Sequence, residues 1–192
     1  MLTGRQHIRT GIYSWVHEPS QKSHLLEREI TIPEVLKEQG YSTAHFGKWH
    51  LNGLRGPGAP IFKEDSHHPG AFGFDEWLSV TNFFDRNPIM SRQGKIEDHS
   101  GDSAEIIVDE ALKCIKTKVA AKEPFFTVIW YGTPHDPWVA DDAEKKPFAQ
   151  LSAKAQEHYG ELVAMDRSIG SLRAGLRKLE IDKNTLVWFT SD

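Results

Sequence analysis

Cysteine is nearly absent: Cys114 is the only one in 192 residues. A single thiol can form no internal disulfide and no cysteine-based zinc site. An excess of one charge sign is also lacking. The 23 basic residues face 27 acidic ones, for a net charge of -4. No basic surplus is available to neutralise a phosphate backbone, so nucleic acid is not expected as a partner. Long hydrophobic runs are missing too. The apolar runs are short, such as Phe125 to Tyr131, far below the roughly 20 residues that cross a bilayer, so no membrane span is expected. No charged-then-apolar leader opens the chain, and no repeat or low-complexity tract occurs. HExxH, P-loop, GxSxG and dinucleotide glycine patterns are all absent. What is present is a globular composition, 39% hydrophobic and 26% charged, with 10 His and 6 Trp that cluster along the chain.

The hydrophobic pattern predicts alternating elements. Thr31 to Gln39 reads as a short helix capped by Thr31, with Pro33 in its first turn, Val35 and Leu36 as its apolar face, and Gly40 as its stop. Tyr41 to Gly47 reads as a strand entering a loop at Lys48. Asn52 to Gly70 is a Gly- and Pro-rich excursion, and Phe72 to Val80 is aromatic enough to pack back on the body. Asp102 to Val119 reads as a helix capped by Asp102 and Glu105, with Cys114 buried on its apolar stripe. Phe125 to Tyr131 is a continuous apolar run, expected as a strand covered on both faces. Gly132 to Pro147 is a loop. Ser152 to Leu179 is a long amphipathic helix with Leu162, Val163, Ile169, Leu172, Leu176 and Leu179 on its stripe. Asp166 falls on that stripe and is expected to be a buried, hydrogen-bonded carboxylate. Leu186 to Thr190 reads as a last buried strand. The alternation predicts an α/β layered fold with a mostly parallel sheet flanked by helices.

Ligands in such sheets sit beyond the carboxyl ends of the strands. Three polar constellations fall there: Gly47-Lys48-Trp49-His50, Thr133-Pro134-His135-Asp136, and Ser191-Asp192. Lys48 offers a point charge and three donors for an anion. His50 and His135 can serve as acids, bases or donors. Asp192 is a hard oxygen ligand suited to Ca²⁺ or Mg²⁺. Together they describe a site for a tetrahedral anion with a metal, as in a sulfate- or phosphate-ester hydrolase. Each residue also has a plainer reading: a solvated lysine, two loop histidines, a helix-capping aspartate. His67-His68 reads as a surface pair, and His7, His17 and His24 as surface residues. Trp49, Trp77, Trp130, Trp138 and Trp188 read as core or as sugar platforms, with core favoured beside strands.

At these residues the chain resembles the type I sulfatases of the alkaline-phosphatase-like superfamily. Gly40 to Leu51 (GYSTAHFGKWHL) is similar to the second sulfatase signature, with Phe46 bulkier than the usual residue. Gly73-Phe74-Asp75-Glu76-Trp77, Pro124-Phe125-Phe126, Thr133-Pro134-His135, Met165-Asp166 with Ile169-Gly170, and Asn184 to Asp192 (NTLVWFTSD) resemble further family motifs in the family's order. Met1 to Arg5 (MLTGR) resembles the tail of the first signature, whose Cys or Ser becomes the formylglycine nucleophile. The resemblance therefore implies that residues 1–192 are a partial N-terminal catalytic domain, with the nucleophile upstream of Met1 and further metal ligands outside the chain.

Carried across residue by residue, the resemblance implies that Lys48 holds the formylglycine hydrate and a sulfate oxygen. It implies that His50 hydrogen-bonds the hydrate, that His135 meets the leaving-group oxygen, and that Asp192 ligates Ca²⁺. The implied activity is hydrolysis of arylsulfates or sulfated carbohydrates by the parent enzyme, with the 192-residue chain inactive alone. A small-molecule or carbohydrate sulfate ester is the implied partner, and an exported or lysosomal location is implied. The alternatives are a phosphodiesterase or phosphonate monoester hydrolase on the same fold, or a truncated non-enzymatic product. Specificity is expected in loops such as Asn52 to Gly70 and Asn82 to His99.

Overall fold

The computed structural model describes residues 1–12, 24–53, 58–82 and 84–191. Its centre is three parallel strands. These are β1 (Ser42–Lys48), flanked by β2 (Glu76–Val80) and β5 (Phe125–Trp130). An antiparallel hairpin, β3 (Ile89–Arg92) and β4 (Lys95–Asp98), extends the β2 side, giving the order β4-β3-β2-β1-β5. The sheet is thus mixed: parallel at its centre, as expected, with a hairpin inside the stretch read as a variable loop.

Helix α3 (Ser103–Ala121) covers one face and α5 (Ala153–Lys178) lies outside α3. Short turns of helix, α1 (His7–Thr10), α2 (Ile32–Glu38) and α4 (Asp142–Lys145), fill the connections. α2 starts as its sequence demands. Thr31 Oγ1 accepts from the Glu34 amide, and Glu34 accepts from the Thr31 amide at 2.8 Å, a reciprocal capping box. Its apolar face differs from expectation: Pro33 is buried, while Val35 is 47% exposed. Asp102 caps α3 by accepting from the Ala104 amide at 2.8 Å.

Alternation along the strands divides the core into two layers. Ala44, Phe46, Leu78, Val80, Met90, Ile107, Ala111 and Cys114 pack between the sheet and α3. Each large side chain among these contributes roughly 1.5–3 kcal/mol by leaving water. Cys114 is the buried small hydrophobe expected, its thiol pushed up to about 12 by desolvation first and then by Glu76. On the other face, Leu2, Leu25, Trp49, Ile61, Phe72, Phe74, Trp77 and Val128 form the second layer. The aromatic Phe72 to Val80 stretch packs back as predicted.

Three expectations fail. In β5 only Val128 is buried, because β5 is the last strand of the sheet. Asp166 is exposed, and the large apolar residues of α5 are half-buried except Leu176. The helix buries Gly160, Glu161, Ala164 and Ser168 instead. Leu186 to Thr190 is no strand: Leu186 is 82% and Trp188 83% exposed. β-propensity measures fit to a pleated, half-buried surface, and this segment joins no sheet among the described residues.

His45, in the middle of β1, is completely buried. Its Nδ1 lies 2.7 Å from Ser79 Oγ, and Trp49, Phe74 and Trp130 surround it edge-on. Its Nε2 has no polar partner. Burial pushes the imidazole down to about 3 from the ordinary 6.5. Between those values the unfolded chain binds a proton that the folded chain refuses. Stability is therefore fully present above pH 6.5 and falls as the pH drops through this window, by roughly 1.4 kcal/mol per unit. Between pH 7 and pH 5 the wild type is expected to lose about 2 kcal/mol more than His45→Gln in urea melts. Parallel losses in the two proteins would contradict this assignment.

Candidate active site

β1 ends against its neighbours unusually closely. Gly47 has φ 106°, and a Cβ there would lie 2.0 Å from the Trp130 carbonyl oxygen of β5. Only glycine fits both the backbone angle and the gap. Beyond Lys48 the chain stays attached to the sheet. The Trp49 amide donates to Val80 O at 2.8 Å and the His50 amide to Thr81 O at 2.5 Å. His50 then turns the chain at φ 51°, a left-handed conformation that histidine tolerates better than most side chains.

Between Lys48 and His50, the Trp49 side chain plunges into the core, 1% exposed. Its Nε1–H donates to His67 O at 2.7 Å, and its ring stacks on Trp130. Lys48 and His50 sit half-buried on either side of this anchor. The tryptophan of this segment is therefore a fixing point and not a sugar platform.

β5 runs parallel to β1 with Gly47 opposite Trp130, so both strands finish at the same edge. The Gly132 to Asp136 loop emerges there beside the Lys48 segment. The His135 amide donates to Gly132 O at 3.0 Å. Its ring Nδ1 lies 2.6 Å from Asp136 O and 3.4 Å from Asp136 Oδ1, and the side chain is 46% exposed. Cis peptide bonds precede Pro134 and Pro137. The strand register thus brings together the segments carrying Lys48, His50 and His135 at one sheet edge.

Asp192 and His17 lie outside the described residues. Among the described residues no group of three or more His, Cys, Asp or Glu side chains is placed to hold a metal. The described residues do not by themselves make a calcium site, and no chemical step is derived through one.

Other histidines are less peripheral than their sequence context implies. His68 caps the turn at Pro69–Phe72, accepting from the Ala71 amide at 3.2 Å, and stacks on Trp77. Burial holds its imidazole below the ordinary value, partly opposed by Asp65. His24 is half-buried, with its ring 4.1 Å from that of His67, and Asp65 ties the loop back through Asn52 at 2.8 Å. The excursion after Asn52 is therefore partly stitched to the Trp49 anchor. His7 is exposed, as expected.

Sequence reasoning missed the carboxyls under the His135 loop. Glu157 and Glu161, one turn apart on α5, accept from the successive amides of Ala140 and Val139, each at 2.7 Å. Trp138 donates from Nε1 to Pro134 O at 2.8 Å, and its ring packs on His158. The i, i+4 spacing of the two glutamates across Gly160 is the only sequence signal they carry.

Lys48, His50 and His135 thus lie on segments at the carboxyl ends of neighbouring parallel strands in a layered α/β fold. Comparison with known proteins narrows the class. The Sulfatase family model matches residues 1–192, and the chain belongs to that family. N-acetylgalactosamine-6-sulfatase of Canis lupus familiaris is 31% identical over 225 aligned positions, covering 100% of this chain and 39% of the relative. An ulvan-active sulfatase of Formosa agariphila is 27% identical over 212, again covering 100% and 39%. The chain thus spans about two fifths of the length of these curated relatives. Among solved structures, Ps i-CgsB in complex with k-i-k-neocarrahexaose superposes with TM-score 0.77 at 23% identity, covering 93% of this chain and 43% of that one. A Bacteroides thetaiotaomicron protein from a locus for glycosaminoglycan metabolism gives 0.78 at 21%, covering 96% and 46%. At such identities the structures establish the fold alone.

Proposed function

We propose that the protein to which this chain belongs hydrolyses sulfate monoesters of carbohydrates, and that Lys48, His50 and His135 serve that reaction. The observation that carries the reading is the shared sheet edge. A family signature ending in Lys48 and His50 and a second motif carrying His135 emerge from adjacent parallel strands in register. Relatives named for sulfated sugars, N-acetylgalactosamine-6-sulfatase and an ulvan-active sulfatase, stand beside one named arylsulfatase A, and the weight of the sugar names favours the carbohydrate class.

In this reading Lys48 places its charge against the non-bridging oxygens of the sulfate, where negative charge gathers as the ester is cleaved. His135, exposed on its loop, gives a proton to the departing alkoxide as the sulfur–oxygen bond breaks. His50, whose backbone amide donates a hydrogen bond to Thr81 O, hydrogen-bonds the attacking group. The formylglycine hydrate implied by the family supplies the attacking oxygen. Asp192 would offer a carboxylate oxygen to a calcium ion, the hard cation suited to such a ligand.

The test is sulfate release by the full-length protein, expressed with formylglycine-forming capacity, from 4-nitrophenyl sulfate and from sulfated galactosamine oligosaccharides. Sulfate release from both is expected, with bis-4-nitrophenyl phosphate turned over at least about 100-fold more slowly, a margin of roughly 2.7 kcal/mol. Preference for the phosphodiester would replace this reading with phosphoryl chemistry. The 192-residue chain alone is expected to release none.

A further inference from the structure

We propose that Glu161 and Gly160 of α5 are positioning residues for His135, holding the loop that carries it against the helix. The inference rests on the reading that His135 protonates the leaving group. His135 itself sits at an exposed crown, with Pro134, Asp136 and Pro137 also exposed. An acid must be held within hydrogen-bond reach of its proton's destination, so something beneath the crown has to fix it.

The fixing contacts lie on the descending side of the loop. Glu161 is 2% exposed, and its Oε1 accepts from the Val139 amide at 2.7 Å. Glu157 takes the next amide, that of Ala140, and is itself held by Lys145 at 2.8 Å. Between the two glutamates, Gly160 leaves the space in which Ala140 sits: a Cβ on Gly160 would lie 2.5 Å from the Ala140 Cβ. From this clamp Trp138 reaches back to Pro134 O, the residue before His135. Lys154 lies over the Trp138 ring, 5.0 Å from its centre. Arg86 pairs with Asp141 at 2.7 Å on the far side. The chain of contacts thus runs from α5, through Val139 and Trp138, to the backbone beside His135.

A buried carboxylate is a costly choice for accepting one amide. Here the cost is met by a second carboxyl. Glu161 and Asp85 are neighbouring carboxyls that shift one another's titration; the backbone amides of Val139 and Arg86 also act on Asp85, while its Oδ2 has no donor from the protein. A proton held between the two carboxyls would supply the donor that Asp85 Oδ2 lacks, while Glu161 Oε1 keeps the Val139 amide. Burial raises both groups, with Asp102 adding to the repulsion of negative charge. The shared proton links the segment after β2 to α5 and leaves Glu161 Oε1 free to hold the loop. Glutamine reproduces both bonds without a proton: its carbonyl accepts from Val139 and its amide donates to Asp85.

The experiment compares two leaving groups in the full-length protein. A sugar sulfate needs protonation of its alkoxide, whereas 4-nitrophenolate departs with little help. Glu161→Ala and Gly160→Ala are each expected to lower kcat for the sugar sulfate by about 10- to 100-fold, within the range general acids contribute. For 4-nitrophenyl sulfate the loss stays below about 3-fold, because the acid has little to contribute there. Glu161→Gln stays near wild type on both. His135→Ala is run alongside and shows the same leaving-group selectivity in larger measure. Equal losses on both substrates in Glu161→Ala and Gly160→Ala, with His135→Ala selective, would overturn the positioning role alone. So would unchanged sugar-sulfate turnover in Gly160→Ala, the variant that keeps the carboxyl pair. Equal losses in His135→Ala would overturn the leaving-group reading and the inference with it.

Discussion

Lys48→Ala in the full-length protein is expected to lower kcat/KM for sulfate-ester hydrolysis by about 100- to 1,000-fold, the usual cost of deleting one preorganised donor at a developing charge. The lysine is well placed to matter this much. It is paired with Val80 of β2 and directly follows Gly47, the last residue at which β1 pairs with β5, so its Cα is set by one ladder and by a neighbour held in the other. Trp49, buried immediately after it, prevents the segment from shifting along the sheet. On the proposed reading, a lysine whose backbone is held this firmly brings its charge to the sulfate with little reorganisation. Lys48→Arg is expected to recover less than a tenth of the loss, because a planar fork cannot take the place of a compact ammonium. Steady-state kinetics on one aryl and one sugar sulfate check the prediction. A Lys48→Ala enzyme with wild-type kcat/KM would remove Lys48 from the site.

Gly47→Ala is expected to cost roughly 3–5 kcal/mol of stability, combining a left-handed non-glycine residue with an overpacked contact. The contact dominates. The new methyl would meet the Trp130 carbonyl at 2.0 Å, and the obstacle is backbone, so no side chain can rotate away. Either β1 and β5 separate or the strand end twists, and both disturb Lys48. Gly40→Ala is the control. Its φ is 84°, but nothing lies within 4 Å of the added methyl, so it carries the conformational cost alone, about 1 kcal/mol. Guanidinium melts of the two variants separate the effects. Equal losses would mean that β1 and β5 part without strain.

Motifs and apolar runs made the candidate edge legible. His135 follows the strand declared by the apolar run Phe125 to Tyr131, Lys48 closes and His50 follows the strand read at Tyr41 to Gly47, and parallel register does the rest. The hairpin Ile89 to Asp98 was not legible. Its strands are four residues each, and its turn uses Gln93 and Gly94 at φ 53° and 88°. Two positive angles are what a two-residue hairpin turn requires, but Gln-Gly is a weaker signal than Asn-Gly. The carboxyl beneath the site was misplaced within the right helix. Counting large apolar residues pointed inward at Asp166. The face of α5 that meets the body is instead Gly160, Ala164 and Ser168, small residues spaced by four that let the chain approach closely. That face takes Glu161 with it and leaves Asp166 in water. Residue size, and not hydrophobicity, decided which side of the helix was buried.

The outer edge of β5 has a consequence for handling the molecule. Phe125 to Trp130 closes the sheet with one row of backbone donors and acceptors that no other strand takes up among the described residues. Leu186 to Phe189 lies exposed elsewhere on the same chain, apolar and free of charge. A flat apolar edge and an extended apolar segment are complementary templates, and two copies of the chain can satisfy each other by adding a strand across the boundary. Self-association of the 192-residue chain is therefore expected to start from the six residues of β5, whose outer edge no described strand covers.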